Sequence, residues 1–154
     1  MIEVHQRFEV ASGTRTVWGV LSNPHEVVGC VPGASLGQEL DDGAFEATLA
    51  VSFGPTRVAF RATVALTLDE AAMEGHLTAR GKDARGGAQV RATMAFRVRE
   101  QPSTGGSEVA IDGGVEIAGR LASLIEGGAN RVVQRMSSQF AEALAERCAQ
   151  VNAA

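Results

Sequence analysis

A chain of 154 residues, 45% hydrophobic and 21% charged, is long enough to bury a core as one domain without disulfides or metal. Its 14 basic residues stand against 18 acidic ones, a formal charge of -4. No basic cluster or run is visible along the sequence. This argues against nucleic-acid recognition and against a purely electrostatic membrane surface.

The N-terminus, Met1-Ile2-Glu3-Val4-His5, alternates polar and apolar and reads as a strand, not as a signal peptide. No stretch approaches the roughly 18 consecutive apolar residues of a membrane span. Cys30 and Cys148 lie far apart with no partner spacing, and are expected as reduced, buried thiols of a cytoplasmic protein.

Residues 2–10 place Ile2, Val4, Phe8 and Val10 on one face and Glu3, His5, Arg7 and Glu9 on the other, the period of a half-buried strand. Ser12 and Thr14 are N-cap candidates for a short helix over Thr16 to Leu21 centred on Trp18. Asn23 caps a second short helix that starts at Pro24, runs to about Cys30 and stops at Val31-Pro32-Gly33.

From residue 34 to 118 the pattern is strand and turn. Leu36 and Leu40 suggest a short first piece, followed by alternation through Phe45, Leu49, Val51 and Phe53. After Gly54-Pro55, Val58, Phe60, Ala62, Val64, Leu66 and Leu68 alternate with Arg57, Arg61, Thr63 and Thr67. Met73, Gly75, Leu77 and Ala79 follow, and a turn is expected from Gly81 to Gly87. Val90 to Val98 and Val109 to Ile117 are the last two strands, joined by a loop over Pro102 to Gly106.

At Gly119 the period becomes helical: Leu121, Ile125, Gly128, Val132, Met136, Phe140 and Leu144 form one apolar stripe. A continuous helix here would be roughly 45 Å long at about 1.5 Å per residue, with Gly127-Gly128 as a weak point or a place of close approach. A meander of about seven strands cannot bury its own concave face, and only this helix is long enough to cover it. The fold expected is α+β, a single domain over residues 1–154. In it a curved antiparallel sheet surrounds a long C-terminal helix, with two short helices after the first strand.

Several stretches carry a resemblance. They are Val17-Trp18 with Leu21, Cys30-Val31-Pro32-Gly33-Ala34, and Phe53-Gly54-Pro55 with Phe60. Gly81-Lys82-Asp83-Ala84-Arg85-Gly86, Gly119-Arg120-Leu121-Ala122 and Gln139-Phe140 complete the set. Over nearly the whole chain the sequence resembles the carbon monoxide dehydrogenase G-subunit family, within the START-like (SRPBCC, helix-grip) superfamily. The resemblance implies an accessory protein, not an enzyme, which partners a molybdenum hydroxylase of the carbon monoxide dehydrogenase type and links it to the membrane. It implies a lipophilic molecule, a quinone or another lipid, held in a cavity, no intrinsic cofactor, and a cytoplasmic place at the inner face of the membrane. Many members carry a tail ending in a membrane-seeking segment. This chain ends at Val151-Asn152-Ala153-Ala154, so no anchor is expected within it.

The polar residues give no catalytic set. His5, His25 and His76 fall on different elements without the i, i+4 spacing of a helical metal pair, and are expected at the surface. Neither cysteine suggests a nucleophilic triad. Asp112 and Glu116 share the outward phase of the last strand, and no strand acid falls on an inward phase; acids in loops are not placed by this argument. Gln6 is the one polar residue on the inward phase of the first strand. It is either a core amide satisfied by backbone or a group that orients a polar head.

The apolar positions are more informative. Phe45, Phe53, Phe60, Met94, Phe96, Met136 and Phe140 point by phase between sheet and helix, which a filled core alone would explain. Small residues on the same phase, Ala47, Ala62, Gly75, Ala79, Ala92, Gly113 and Gly128, together with the resemblance, favour a cavity. Its expected lining is Trp18, Phe45, Phe53, Phe60, Ala62, Met94, Phe96, Met136 and Phe140, with no catalytic and no metal-binding residue. A START-like cyclase or hydrolase acting on an apolar substrate, and a filled-core interaction module assisting enzyme maturation, are the alternatives.

Overall fold

A computed structural model describes residues 1–153. The last residue of the expected domain, Ala154, lies outside them. In chain order the elements are β1 (Ile2–Val10), α1 (Thr14–Leu21), α2 (Pro24–Val27) with a 3-10 turn (Val28–Cys30), β2 (Ala34–Glu39), β3 (Phe45–Phe53), β4 (Thr56–Asp69), β5 (Glu74–Asp83), β6 (Gln89–Gln101), β7 (Gly106–Ala118) and α3 (Ala122–Ala153). All seven strands form one antiparallel sheet in the order β1-β7-β6-β5-β4-β3-β2. The meander runs from β2 to β7, and β1 closes against β7, so the first and last strands are neighbours. This is the expected α+β helix-grip arrangement.

Alternation does what the sequence predicts. Along β1 Ile2, Val4 and Phe8 are half-buried and Val10 is buried, while Glu3, His5, Arg7 and Glu9 are exposed. The strand's outward row is held by His5 and Arg7, both bonded to Asp112 on β7, which keeps that carboxyl below its ordinary range. Asn23 accepts from the amide of His25 and caps α2 as expected.

Four boundaries differ. First, α1 starts at Thr14 and its N-cap is Gly13, with no side-chain cap. Ser12 is instead buried: its carbonyl accepts from Ser107 Oγ at 2.8 Å and its hydroxyl from Asn152 Nδ2 at 2.9 Å, which docks the end of α3 at the β1–α1 corner. Second, β2 is Ala34–Glu39, and Leu40 stands outside it in the turn. Third, the turn expected from Gly81 is shorter, because β5 continues to Asp83 and pairs Gly81 with Ala62 and Val90. Fourth, α3 opens at Ala122. Gly119 has φ +104°, and a Cβ there would lie 2.8 Å from the Gly87 carbonyl, so the chain leaves the sheet through a residue only glycine can supply.

Gly33, at φ +77°, is the other such position. A side chain there would run into the Ala50 carbonyl, while the Gly33 carbonyl accepts from the Ala50 amide at 3.0 Å. The Pro32-Gly33 closure thus lays the start of β2 directly on β3.

The core is divided in two. One cluster gathers Val10, Val17, Trp18, Val20, Leu21, Val98, Val109, Leu144 and the two cysteines at the α1 end of the sheet. Both cysteines are free, and burial pushes the Cys148 thiol up to about 11, with Cys30 nearby adding to the effect. The other cluster holds Val51, Phe53, Val58, Phe60, Ala88, Ile125 and Val132. α3 runs unbroken through Gly127-Gly128 from one cluster to the other. A Cβ at Gly128 would meet the Phe53 ring at 3.5 Å, an ordinary contact, so the helix packs on β3 there without a glycine being required.

Candidate functional site

Between the two clusters lies a band of the inner face that belongs to neither. The register aligns Phe45, Val64, Ala79, Ala92 and Val115 in one row across β3, β4, β5, β6 and β7. The next row is Leu66, Leu77, Met94, Gly113 and, across on β1, Val4. All of these residues are half-buried, and Leu68 at the end of the band is 37% exposed. The backbone of α3 comes close to β1, β3 and β7 and stands off from β4, β5 and β6. The helix thus approaches the sheet toward its two sides, and the apolar inner face of the strands between them is only partly buried.

The expected lining divides accordingly. Trp18 is buried in the first cluster, where Phe96 and Phe140 pack against it; Phe53 and Phe60 are buried in the second, flanked by Met136. Phe45, Ala62 and Met94 lie on the inner face outside both clusters. Phe45 has the imidazole of His25 on α2 edge-on to its ring at 6.2 Å, so α2 overhangs that end of the band. Trp18 is fixed twice, by the Phe96 ring at 5.9 Å and by an indole N–H donated to Glu70 Oε2 at 2.6 Å, which ties α1 to the β4–β5 turn.

Not every small residue leaves space. A Cβ on Gly75 would collide with the Phe96 ring, and one on Gly113 with the Thr93 carbonyl of the neighbouring strand and with Met94 Sδ at 2.6 Å, so neither position leaves space. Ala79 and Ala92, side by side in the middle row, are where the inner face stays shallow.

The polar residues on the inward phase include Gln6, Asp83 and the fully buried Ser107, whose hydroxyl donates to the Ser12 carbonyl. Gln6 is half-buried beside Ile111, and among the described residues its side-chain amide has no hydrogen-bond partner. It is therefore not a core amide satisfied by backbone. Asp83 corrects the expectation that no strand acid points inward: β5 reaches it, and it is 6% exposed. Its carboxylate accepts from the Gly87 amide at 3.3 Å and its backbone closes the β5–β6 turn, so its role is local. The three histidines are exposed, and no group of three or more His, Cys, Asp or Glu among the described residues could hold a metal.

Sequence reasoning singles out the aromatic residues and passes over Val4, Val64, Leu66, Leu77 and Val115. Their period-two alternation is the available signal. What it lacks is the register, which alone shows that they share two rows. No helix among the described residues is long and apolar enough to cross a membrane.

A curved antiparallel sheet that grips a C-terminal helix, with two short helices after β1, is the START-like helix-grip fold. The chain belongs to the CoxG family, the G subunit of carbon monoxide dehydrogenase, which it matches over residues 7–149. Solved structures agree on the fold. A conserved protein from Geobacillus kaustophilus superposes with a TM-score of 0.82 at 17% identity, covering 97% of this chain and 96% of that one. A START superfamily protein from Mycobacterium smegmatis gives 0.58 at 15% identity, covering 97% and 98%. The di-domain aromatase/cyclase BexL of the BE-7585A biosynthetic pathway gives 0.65 at 15% identity, covering 99% of this chain and 48% of that one. No curated protein matches the sequence.

Proposed function

We propose that this protein holds a lipophilic molecule, a quinone or another lipid, in the groove between the sheet and α3. It does so as the accessory subunit of a molybdenum hydroxylase of the carbon monoxide dehydrogenase type. The observation that carries the reading is the split core: two buried clusters flank half-exposed rows of apolar residues that the helix spans without filling. Side chains left partly exposed forgo a fraction of the about 1.5–3 kcal/mol that full burial contributes, a cost that a bound apolar molecule would recover. Phe45, Ala62 and Met94 line the middle of the groove, and Trp18, Phe53, Phe60, Phe96, Met136 and Phe140 form its ends. The Gln6 amide offers a hydrogen bond to a polar head. Carrying a membrane-soluble molecule is how such a protein would link the enzyme to the inner face of the membrane from the cytoplasm.

The aromatase/cyclase neighbour raises catalysis as a second reading. A cyclase needs polar groups that act on its substrate, and of the inward polar side chains Asp83 serves its own turn and Ser107 is taken up by the Ser12 carbonyl, leaving Gln6 without a partner. Binding without turnover fits the groove better.

Native mass spectrometry of the purified protein, followed by solvent extraction, tests the proposal. A single lipophilic adduct, or one-to-one loading with a short-chain quinone accompanied by quenching of Trp18 fluorescence, is the expected result. Protein that stays free of any lipophilic molecule when challenged with quinones and lipids would leave the filled-core interaction module as the better description.

A further inference from the structure

The outer face of the sheet carries a feature that the groove does not explain. Arg61 on β4 pairs directly with Lys82 on β5, and Arg80 on β5 with Arg91 on β6. All four side chains are exposed on one face of three adjacent strands, and none has an ion-pair or hydrogen-bond partner among the described residues. Like charges placed directly opposite each other on antiparallel strands are destabilising. Here two such pairs sit side by side in a chain of net charge -4, in which acids outnumber bases. Together they line a depression of about 890 Å³, which Met1, Gln89 and Glu116 also border. Glu116, opposite Arg91, is the one acid in that lining and is not within ion-pair distance of it. Glu46 lies beyond, on β3.

We infer that this depression is a docking site for an acidic segment of a partner protein. The charge is complementary to such a segment and to little else on this molecule. Concavity selects the kind of partner: a planar anionic bilayer cannot follow the depression, whereas a protruding segment enters it and meets four cations against the single acid Glu116. At physiological salt their attraction reaches only about 8–10 Å, so the match must be local. The face lies on the other side of the sheet from the groove, so a partner docked here would leave the groove free. The inference stands whether or not the groove holds a ligand.

The test is fluorescence anisotropy of a labelled oligoglutamate peptide with the intact protein, against an oligoglutamine peptide of equal length. The glutamate peptide is expected to bind selectively, and to weaken about tenfold or more between about 50 and about 200 mM salt. Arg80→Glu/Arg91→Glu should weaken it by a further tenfold or more. Arg131→Glu, on α3, should leave it unchanged. The neutral double variant Arg61→Gln/Lys82→Gln should also lose affinity, and keeps the test readable if charge reversal impairs folding. Equal binding of the two peptides, or an equal loss in Arg131→Glu, would overturn the inference. So would sedimentation with phosphatidylcholine vesicles containing about a third phosphatidylglycerol that depends on Arg80 and Arg91, which would assign the face to a bilayer.

Discussion

Gly75 shows how a single position can look like empty space in the sequence and be full in the fold. Its neighbour across the ladder is Phe96, whose ring lies over the glycine and continues to Trp18. A Cβ at Gly75 would come within 2.6 Å of Phe96 Cε1 and closer to its Cζ. Gly75→Ala is therefore expected to displace the ring, destabilise the domain by about 1–3 kcal/mol and shift the Trp18 emission. Chemical denaturation followed by tryptophan fluorescence reads both. If neither changes, the ring does not rest on the glycine. Gly113 is closed off too, by the Thr93 carbonyl on β6 and then by Met94 Sδ. Small residues on an inward phase thus divide into those that receive a neighbour's side chain and those that leave a gap, and only the register separates them. Gln6 is open in the sequence for a similar reason: its phase is visible there, its lack of a partner only in the fold.

At the scale of the element, the strands and the long helix are legible because their periods are clean over many residues. The α3 stripe keeps its spacing from Ile125 to Leu144, and β1 and β4 follow their alternation. The junctions are less legible. Gly81, expected as a turn residue, sits inside β5 because neighbouring strands pair with it on both sides, and so carries Asp83 inward. The outer cations escape notice in the sequence because Arg61, Lys82, Arg80 and Arg91 stand on three strands and never form a run. The same holds for the contact between α2 and the end of α3, where Arg147 Nε donates to Glu26 Oε2 at 2.5 Å and holds that carboxyl below its ordinary value. A lowered folded-state pKa contributes stability that is present above the ordinary glutamate value of 4.5 and is lost as the pH falls through it toward the folded value. The pair is solvent-exposed, so its contribution is small. Glu26→Gln should leave a shallower loss of stability on the acid side than the parent shows, with Asp112 still contributing. Thermal melts from neutral pH down to the acid limit check this, and identical acid slopes would show that the bridge does not form in solution.

For the whole molecule, the number of layers, the sheet direction and the helix that covers it follow from an apolar face that has nowhere else to go. The site is less determined, because a filled core and an open groove present the same alternation of apolar and polar residues. The difference lies in how far the sheet curves from the helix between its two points of attachment, a property of seven strands and their turns together. Ala79 distinguishes the two states. It lies in the middle row, between Val64 and Ala92, away from both buried clusters. In a filled core, Ala79→Phe would overpack and cost about 1–3 kcal/mol. In an open groove the ring enters unoccupied space, and stability should change by less than about 1 kcal/mol while a lipophilic quinone analogue loses its place. Ala62→Phe, nearer the second cluster and flanked by Ala47 and Gly81, should behave in the same way with a somewhat larger cost. The measurement is paired: urea denaturation for stability, and quinone titration against Trp18 fluorescence for binding. Little change in stability with binding reduced about tenfold or more supports the groove as the ligand site. A large loss of stability would mean that the band is packed, and an unaltered titration would place the ligand elsewhere.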